Sequence, residues 1–187
     1  MRLSRQGVTL IELMVVLVIL GMIVGFAAPR IDLTKYQIES SMQGVGMTLL
    51  ALERQSIAQQ HDIIVMFDQT KQALRVHEDN NNNGLVDAGE RVRSIPLGDK
   101  VVFGKGIAAA MTMGAGPVTF TKVVSGLKAL VFHRDGSASE AGGFYLTSKR
   151  AVNYNGYPND SRAIQLDRAT GRASWFRYNG STWVRAF

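Results

Sequence analysis

The sequence predicts an α+β protein in which a long N-terminal helix packs on a C-terminal, antiparallel, β-rich globular domain. Residues 8–28 form an apolar run in which only Thr9 and Glu12 have polar side chains. After Tyr36 apolar residues recur at helical spacing, and from Ile63 onward short apolar or alternating runs are separated by turn residues. The expected organisation is a short basic leader at 1–7, a transmembrane helix segment at 8–28, an amphipathic continuation of the helix at 29–60 and the β-rich domain at 61–187.

The apolar run is long enough to cross the hydrocarbon core of a bilayer as a helix. Basic residues flank it, and the positive-inside tendency favours a cytoplasmic N-terminus with the rest of the chain outside. A carboxylate in hydrocarbon is costly and usually has a partner, so Glu12 needs a function of its own. If the chain were cut after Gly7, the new ammonium group at Val8 could pair with Glu12 of a neighbouring helix. Glu12 is therefore interpreted as an assembly device rather than part of a passive anchor.

Gly7 followed by Val8-Thr9-Leu10-Ile11-Glu12 resembles the prepilin signature of type IV pilins and type II secretion pseudopilins. Pro29 resembles the proline of that family's N-terminal helix. The resemblance implies cleavage after Gly7 by a prepilin peptidase, N-methylation of Val8, and packing of this helix against other pilins or pseudopilins. It also implies a single-pass protein of the inner membrane with a periplasmic globular domain. The alternative is an uncleaved signal anchor on another periplasmic protein.

Composition and charge exclude several kinds of site and suggest one kind of partner. With no Cys, the chain has no disulfide framework, no metal–thiolate site and no cysteine nucleophile. No catalytic motif is present and the three histidines lack ligand spacing, so enzymatic function is not expected. The net charge of +6 lies in residues 122–187, which carry 10 Lys+Arg against 4 Asp+Glu, whereas residues 1–121 carry 11 of each. This bias suggests an acidic partner, namely nucleic acid, anionic lipid or an acidic protein.

The helix and strand patterns can be followed along the chain. Pro29 predicts a kink near residues 25–29, where it removes a helical hydrogen bond. Beyond it, apolar residues spaced by 4, 3, 4 and 3 positions form one stripe of an amphipathic helix, predicted to pack on a sheet; they are Ile38, Met42, Val45, Leu49 and Leu52. Residues 104–116 are predicted to be a flexible loop. Strands are predicted at 63–67, 73–77, 92–97, 101–103, 118–121, 127–133, 142–147, 162–166, 172–178 and 181–187.

One polar segment between two predicted strands matches a calcium loop. From Asp79 to Glu90 the sequence fits D-x-[DN]-x-[DN]-G-x5-E at every position. The predicted ligands, which would hold a structural calcium ion, are Asp79, Asn81, Asn83, Leu85 through its carbonyl, Asp87 and Glu90. The flanks are predicted strands rather than the helices of an EF-hand. The alternative is an Asn- and Gly-rich turn whose side chains cap their own backbone.

The C-terminal third combines arginines with aromatic residues. Asn179-Gly180 is predicted to be a two-residue hairpin turn that pairs Phe176 with Trp183. Arginines among aromatic rings suit single-stranded nucleic acid, because rings stack on bases and guanidinium groups contact phosphates. The candidate nucleic-acid-binding residues are Arg172, Arg177, Arg185, Lys149 and Arg150, with Arg162 and Arg168 as extensions of the surface. The alternative, which we favour, is that the aromatics pack on the sheet and the charges are solvated.

The order of segments in the β-rich domain is similar to the GspH/FimT-type minor pilins and pseudopilins. The similarity lies in Val131-Phe132-His133-Arg134-Asp135-Gly136, then Phe144-Tyr145-Leu146, then residues 162–166 and Gly171-Arg172. The leading hypothesis is therefore a minor pilin or pseudopilin of a type II secretion pseudopilus or a type IV pilus. The resemblance also associates FimT-like members with DNA uptake, so a pilus-associated DNA receptor is a second hypothesis. An anchored periplasmic calcium-binding protein outside any filament is the third.

Overall fold

A computed structural model describes residues 8–27 and 32–186 of the chain. The chain divides into two units, Met1–Leu33 and Thr34–Phe187. Gly7 and Pro29, to which the sequence assigns cleavage and the helix kink, lie outside the described residues.

The described part of the first unit is helix α1, Leu10–Ala27. Apart from Glu12 and two glycines its side chains are apolar, and its large apolar side chains are between 50% and 79% exposed. A helix with apolar residues on all sides has no separate polar face to turn toward water. Within the described residues, no helix has the combined length and apolarity that a membrane crossing requires.

Helix α2, Leu33–Gln59, belongs to the second unit except for its first residue. All five positions of the predicted apolar stripe are buried, at 4% exposure or less. The stripe joins side chains of both β-sheets, such as Phe67 and Ile164, in one hydrophobic cluster. The prediction that the amphipathic helix packs on a sheet is therefore confirmed.

The second unit contains two antiparallel five-stranded sheets. The first has the order β3-β2-β1-β6-β5, and its strands are β1 Asp62–Asp68, β2 Ala73–Asp79, β3 Val92–Pro96, β5 Val123–Val124 and β6 Leu127–Phe132. The second has the order β10-β9-β8-β7-β4, and its strands are β4 Val101–Phe103, β7 Gly142–Ser148, β8 Arg162–Leu166, β9 Ala173–Tyr178 and β10 Trp183–Arg185. A short helix α3, Lys149–Asn153, and a 3-10 turn at Pro158–Asp160 connect β7 to β8. The sequence patterns predict neither of these two elements.

Aromatic rings fill the centre of the core between the two sheets. Phe67 of β1 lies 4.9 Å from Phe144 of β7 and 5.2 Å from Phe120, measured between ring centroids. Phe103 of β4 contacts Phe67 and Phe144 edge-on at 6.0 Å. Because rings from both sheets and the side chains of α2 share this cluster, the second unit has its own hydrophobic core.

The predicted strand at 118–121 is wrong. Val118 forms only an isolated bridge with Phe144. The carboxylate of Glu140 accepts hydrogen bonds from the N–H groups of Thr121 and Lys122, both at 2.9 Å, and from the Thr121 hydroxyl at 2.7 Å. The backbone of residues 117 and 119 bonds to β7 at Tyr145 and Gly143, but at residues 121 and 122 the Glu140 side chain takes the place of a neighbouring strand, so the pairing does not extend into a strand.

The predicted register of the last hairpin is also wrong. Trp183 pairs with Tyr178, and Arg185 with Phe176, so the connection has four residues rather than two. Asn179 explains the longer turn, because its Oδ1 accepts hydrogen bonds from the N–H groups of residues 181 and 182. An Asx side chain of this kind can organise a turn in place of the tight Asn-Gly geometry.

The segment predicted to be a flexible loop at 104–116 is attached to the outer face of the second sheet. Tyr145 Oη accepts a hydrogen bond from the Met111 N–H at 2.8 Å and donates one to the Gly114 carbonyl at 2.6 Å. Trp183 Nε1 donates to the Ala109 carbonyl at 2.8 Å. The prediction of a flexible loop does not fit this attachment, because side chains distant in sequence hold the segment in place.

Candidate functional site

The N-terminal candidate residue Glu12 caps helix α1. Its Oε2 accepts a hydrogen bond from the Thr9 N–H at 3.4 Å, and Thr9 Oγ1 accepts one from the Glu12 N–H at 3.3 Å. This reciprocal pair is a capping box, and its T-x-x-E spacing is the sequence signal that could have predicted it. Glu12 remains exposed, so its carboxylate is also accessible to a second helix.

One face of α1 forms a shallow groove of about 390 Å³ made only of apolar side chains. The lining residues are Ile11, Met14, Val15, Val18, Ile19 and Met22. Their spacing of three and four positions places them on one side of the helix. The structure therefore brings an exposed acid at the helix start and a continuous apolar surface together on one helix.

The Asn-rich loop between β2 and β3 is closed by its own side chains. Asp79 is buried at the end of β2, and its carboxylate oxygens accept hydrogen bonds from the N–H groups of Asn83 at 3.1 Å and Gly84 at 2.7 Å. Asn81 Oδ1 accepts from the Asn83 N–H, and Asn83 Oδ1 accepts from the Leu85 N–H. These contacts are the self-capping turns of the alternative interpretation.

Asp87 and Glu90 close the second half of the same loop. Asp87 Oδ2 accepts hydrogen bonds from the side-chain amides of Asn81 at 2.9 Å and Asn83 at 2.6 Å. These hydrogen bonds, first that of Asn81 and then that of Asn83, lower the pKa of the Asp87 carboxyl. Glu90 Oε2 lies 2.9 Å from Nε2 of His77, a buried residue of β2, and accepts from the Asp87 N–H. The loop is thereby attached to the sheet.

The six predicted calcium ligands thus lie in one loop, but their side chains bind one another. All five side-chain ligands take part in hydrogen bonds within the loop. Among the residues that the structure describes, no group of three or more His, Cys, Asp or Glu side chains is placed to hold a metal ion. A calcium ion would require the Asn81 and Asn83 amides to turn from Asp87, so calcium binding stays a prediction.

The basic candidates of the C-terminal third do not form one surface. Arg150 makes two hydrogen bonds to the buried Asp160, at 2.7 and 3.1 Å, and its guanidinium lies 4.3 Å from the Tyr157 ring centroid. Arg177 and Arg185 lie on opposite faces of the second sheet, because Arg185 pairs with Phe176, the neighbour of Arg177. Lys149, Arg168 and Arg172 are exposed in α3 and the turn between β8 and β9.

The aromatic residues of the last hairpin pack against other side chains of the second unit. Tyr178 is 8% exposed, and Trp183 lies between it and Tyr145, at ring distances of 5.1 and 5.6 Å. Trp175 packs against the core and against Gly46 of α2. These contacts match the alternative in which the aromatics stabilise the sheet.

Comparison with known proteins identifies the N-terminal segment. Residues 2–28 match the model of the prokaryotic N-terminal methylation motif. Among curated proteins no match is found. Two structures of the minor pseudopilin EpsH from the type 2 secretion system of Vibrio cholerae are similar to the chain. One is 13% identical, covers 80% of this chain and 95% of its own, and has a TM-score of 0.45. The other is 16% identical, covers 75% and 94%, and has a TM-score of 0.46.

With TM-scores below 0.5, neither likeness carries weight for the fold or the function of this protein. The motif match includes Gly7, Val8 and Glu12, the residues on which the N-terminal resemblance depends. The chain therefore carries, over residues 2–28, the prokaryotic N-terminal methylation motif, which confirms the prepilin-type N-terminus that the sequence predicts.

Proposed function

We propose that this protein is a minor pilin or pseudopilin, a structural subunit of a type II secretion pseudopilus or a type IV pilus. A prepilin peptidase cleaves it after Gly7, and Val8 becomes N-methylated. The subunit waits in the inner membrane with its β-rich unit in the periplasm and then joins the filament through α1. The observation that carries the proposal is the methylation motif over residues 2–28.

The exposed surface of α1 supports an assembly role. Its large apolar side chains, from Leu10 to Phe26, are all at least half exposed, whereas the second unit has a complete core of its own. Apolar surface of this extent is unfavourable in water, because each exposed Leu, Ile or Val forfeits about 1.5 to 3 kcal/mol of burial energy. Lipid covers this surface before assembly, and the helices of other subunits cover it afterwards.

The direct test is the mass and N-terminal sequence of the protein recovered from its native membrane. We expect methyl-Val at residue 8 and loss of residues 1–7. Gly7→Ala should leave the leader attached, and Glu12→Ala should allow cleavage but prevent filament incorporation. An intact Met1 in the wild-type protein would refute the proposal.

A second pair of variants separates assembly from helix capping by Glu12. Thr9→Val removes the hydroxyl that accepts from the Glu12 N–H but leaves the acid in place. We expect this variant to assemble, because the carboxylate can still meet the Val8 ammonium of a neighbouring subunit. Equal loss of filaments in Thr9→Val and Glu12→Ala would show that assembly depends on the helix cap, which stabilises a helix by about 1 kcal/mol, and not on the charge of Glu12.

Calcium binding by the 79–90 loop is a separate proposal with a structural role. The loop supplies the oxygen ligands that calcium prefers, and an ion there would stiffen a surface turn already anchored by His77. Calcium at millimolar concentration should raise the unfolding temperature of the full chain, and Glu90→Gln should abolish the increase. If calcium does not raise the unfolding temperature of the wild-type protein, the loop is a self-capped turn and the calcium proposal is refuted.

Binding of DNA is the alternative that the basic C-terminal third motivates. Lys149, Arg172 and Arg177 are exposed, and each of them offers a positive charge to an anionic strand. A gel shift of the full chain with single-stranded DNA should weaken as salt rises, because phosphate contacts release counterions. Replacing Arg172, Arg177 and Arg185 with Gln should remove the shift, and no shift at low salt would refute this alternative.

A further inference from the structure

A basic pocket of about 360 Å³ lies beside the first turn of α2, where β8 and β10 begin and β9 ends. Three cationic side chains line it: Lys35 of α2, Arg162 of β8 and Arg177 of β9. Asn159 and Asn179 add polar groups to the wall. The volume falls within the range of small-molecule sites, so the pocket has room for an anionic group with its substituents.

Arg162 is the buried member of the pocket, with 7% of its surface exposed. Its Nε donates to Glu39 Oε2 at 3.0 Å, and its Nη1 donates to the carbonyls of Asn159 and Ser161 at 2.8 and 3.0 Å. Within the described residues, Nη2 has no protein acceptor. The guanidinium is thus held by three acceptors and keeps one nitrogen available to a ligand in the pocket.

The charges of the pocket do not balance within the second unit. Arg162 and Arg177 are direct partners across β8 and β9, so their side chains lie on the same face. Like charges at such positions destabilise a sheet. Glu39 pairs with Arg162, but among the described residues neither Arg177 nor Lys35 has a carboxylate within ion-pair distance. An anion in the pocket would offset this repulsion.

We propose that this pocket binds the phosphate of an anionic phospholipid headgroup while the subunit waits in the membrane. Guanidinium groups suit phosphate, which they bind through two parallel hydrogen bonds, and the Lys35 ammonium adds a point charge. Basic pockets between transmembrane helices bind anionic headgroups on the cytoplasmic side of membranes, and the same phosphate chemistry is available to a pocket on the other side. The pocket would thus be filled before assembly and emptied when the subunit leaves the bilayer for the filament.

The position of Lys35 in the sequence favours lipid over nucleic acid. Lys35 follows the end of the apolar run, residue 28, by seven residues. Seven residues span at most about 25 Å even when fully extended. If the run lies in the membrane, as the proposed function requires, lipid phosphates are within reach of this lysine at a high local concentration. The inference rests on the proposed function in this respect.

Native mass spectrometry of the full chain in nonionic detergent tests the proposal. The protein is given equimolar phosphatidylglycerol and phosphatidylcholine with the same acyl chains. We expect the wild-type protein to retain the anionic lipid with about tenfold preference, and the double variant Lys35→Gln, Arg177→Gln to lose this preference, since each basic residue contributes to headgroup attraction. The matched control Lys71→Gln, Arg134→Gln removes the same charges from exposed positions outside the pocket and should keep the preference.

Three outcomes would overturn the assignment. The first is an unchanged preference in the pocket variant, and the second is equal loss in the control. The third is displacement of the lipid by inorganic phosphate alone or by a short single-stranded oligonucleotide, which would make the pocket a free-phosphate or nucleic-acid site. Cleavage and methylation at residues 7 and 8 are read from the same spectra, so failure of the proposed function is seen separately from failure of lipid binding.

Discussion

Helices α1 and α2 are neighbours in the sequence, yet their apolar side chains are in opposite environments. In α2 the apolar residues form one stripe, and Leu49 and Leu52 on it are each 1% exposed. In α1 apolar residues lie on every side, and Leu17 is 59% exposed. The stripe of α2 packs on the protein's own sheets, whereas the large apolar side chains of α1 are at least half exposed.

The glycines of the two helices differ in the same way. A Cβ at Gly46 of α2 would lie 2.7 Å from the ring of Trp175, so the missing side chain is what lets sheet and helix approach. A Cβ at Gly21 or Gly25 of α1 would meet nothing within 4 Å. The close fit at Gly46 shows that this face of α2 is already covered by the sheet, and no such fit is seen at the two glycines of α1.

The largest expected effect comes from truncating one leucine in each helix. Leu49→Ala should lower the free energy of unfolding of the second unit by about 2 to 5 kcal/mol, because it leaves a cavity in the core. Leu17→Ala should leave this free energy unchanged but reduce filament assembly. Urea unfolding of the full chain can be followed by tryptophan fluorescence, because both tryptophans, Trp175 and Trp183, belong to the second unit.

The comparison would fail if Leu17→Ala lowered the stability of the second unit as much as Leu49→Ala does. It would also fail if Leu17→Ala, Val18→Ala and Ile19→Ala together assembled as well as the wild-type protein. Either result would mean that α1 has no separate role as an assembly surface.

A glycine pair within α2 sharpens the same comparison with a smaller effect. Gly46→Ala should destabilise the second unit by about 1 to 3 kcal/mol, because the Trp175 ring must move to admit the methyl group. Gly44→Ala is the matched control, since a Cβ there meets nothing within 4 Å. Its higher helix propensity should stabilise the helix by about 0.5 to 1 kcal/mol. We expect the urea midpoint to fall in Gly46→Ala and to rise in Gly44→Ala, relative to the wild-type protein. Equal midpoints in the two variants would contradict the close contact between Gly46 and Trp175.

Sequence periodicity predicted the elements whose side chains alternate between core and solvent. The spacing of Ile38, Met42 and Val45 identified the buried face of α2, and the apolar run 63–67 identified β1, observed as Asp62–Asp68. These patterns are local, so a short window of sequence contains the whole signal. The N-terminal methylation motif was predictable for the same reason, because its residues are consecutive.

The missed features depend on residues that are far apart in the sequence or on polar side chains. Glu140, which binds Thr121 where a strand was predicted, is 19 residues away from it in the sequence. Trp183, which donates a hydrogen bond to Ala109, is 74 residues away from it. Asn179 changed the register of the last hairpin through its side-chain oxygen, which turn statistics for Asn-Gly do not include. The basic pocket was missed because Lys35 and Arg177 meet only after the sheet has formed.

The smallest expected effect comes from two glutamates that accept hydrogen bonds from backbone N–H groups, one in the second unit and one in α1. Glu140 belongs to the second unit, and burial raises the pKa of its carboxyl, but hydrogen bonds from Lys122 and Thr121 together outweigh burial and lower the pKa below its ordinary value of 4.5. A lowered pKa means that the native state favours the charged form. The resulting stability is present above pH 4.5 and is lost as the pH falls through the folded pKa.

Glu140→Gln should therefore cost about 1 kcal/mol at pH 7, the usual worth of charge-assisted hydrogen bonds on a half-exposed group. The difference from the wild-type protein should shrink below pH 4.5 and disappear as the pH falls through the folded pKa, because the wild-type carboxyl then becomes neutral like the glutamine amide. Glu12→Gln should leave the urea midpoint of the second unit unchanged at either pH, since Glu12 caps only α1. A constant difference between Glu140→Gln and the wild-type protein from pH 7 to pH 3 would show that Glu140 acts through its shape rather than its charge.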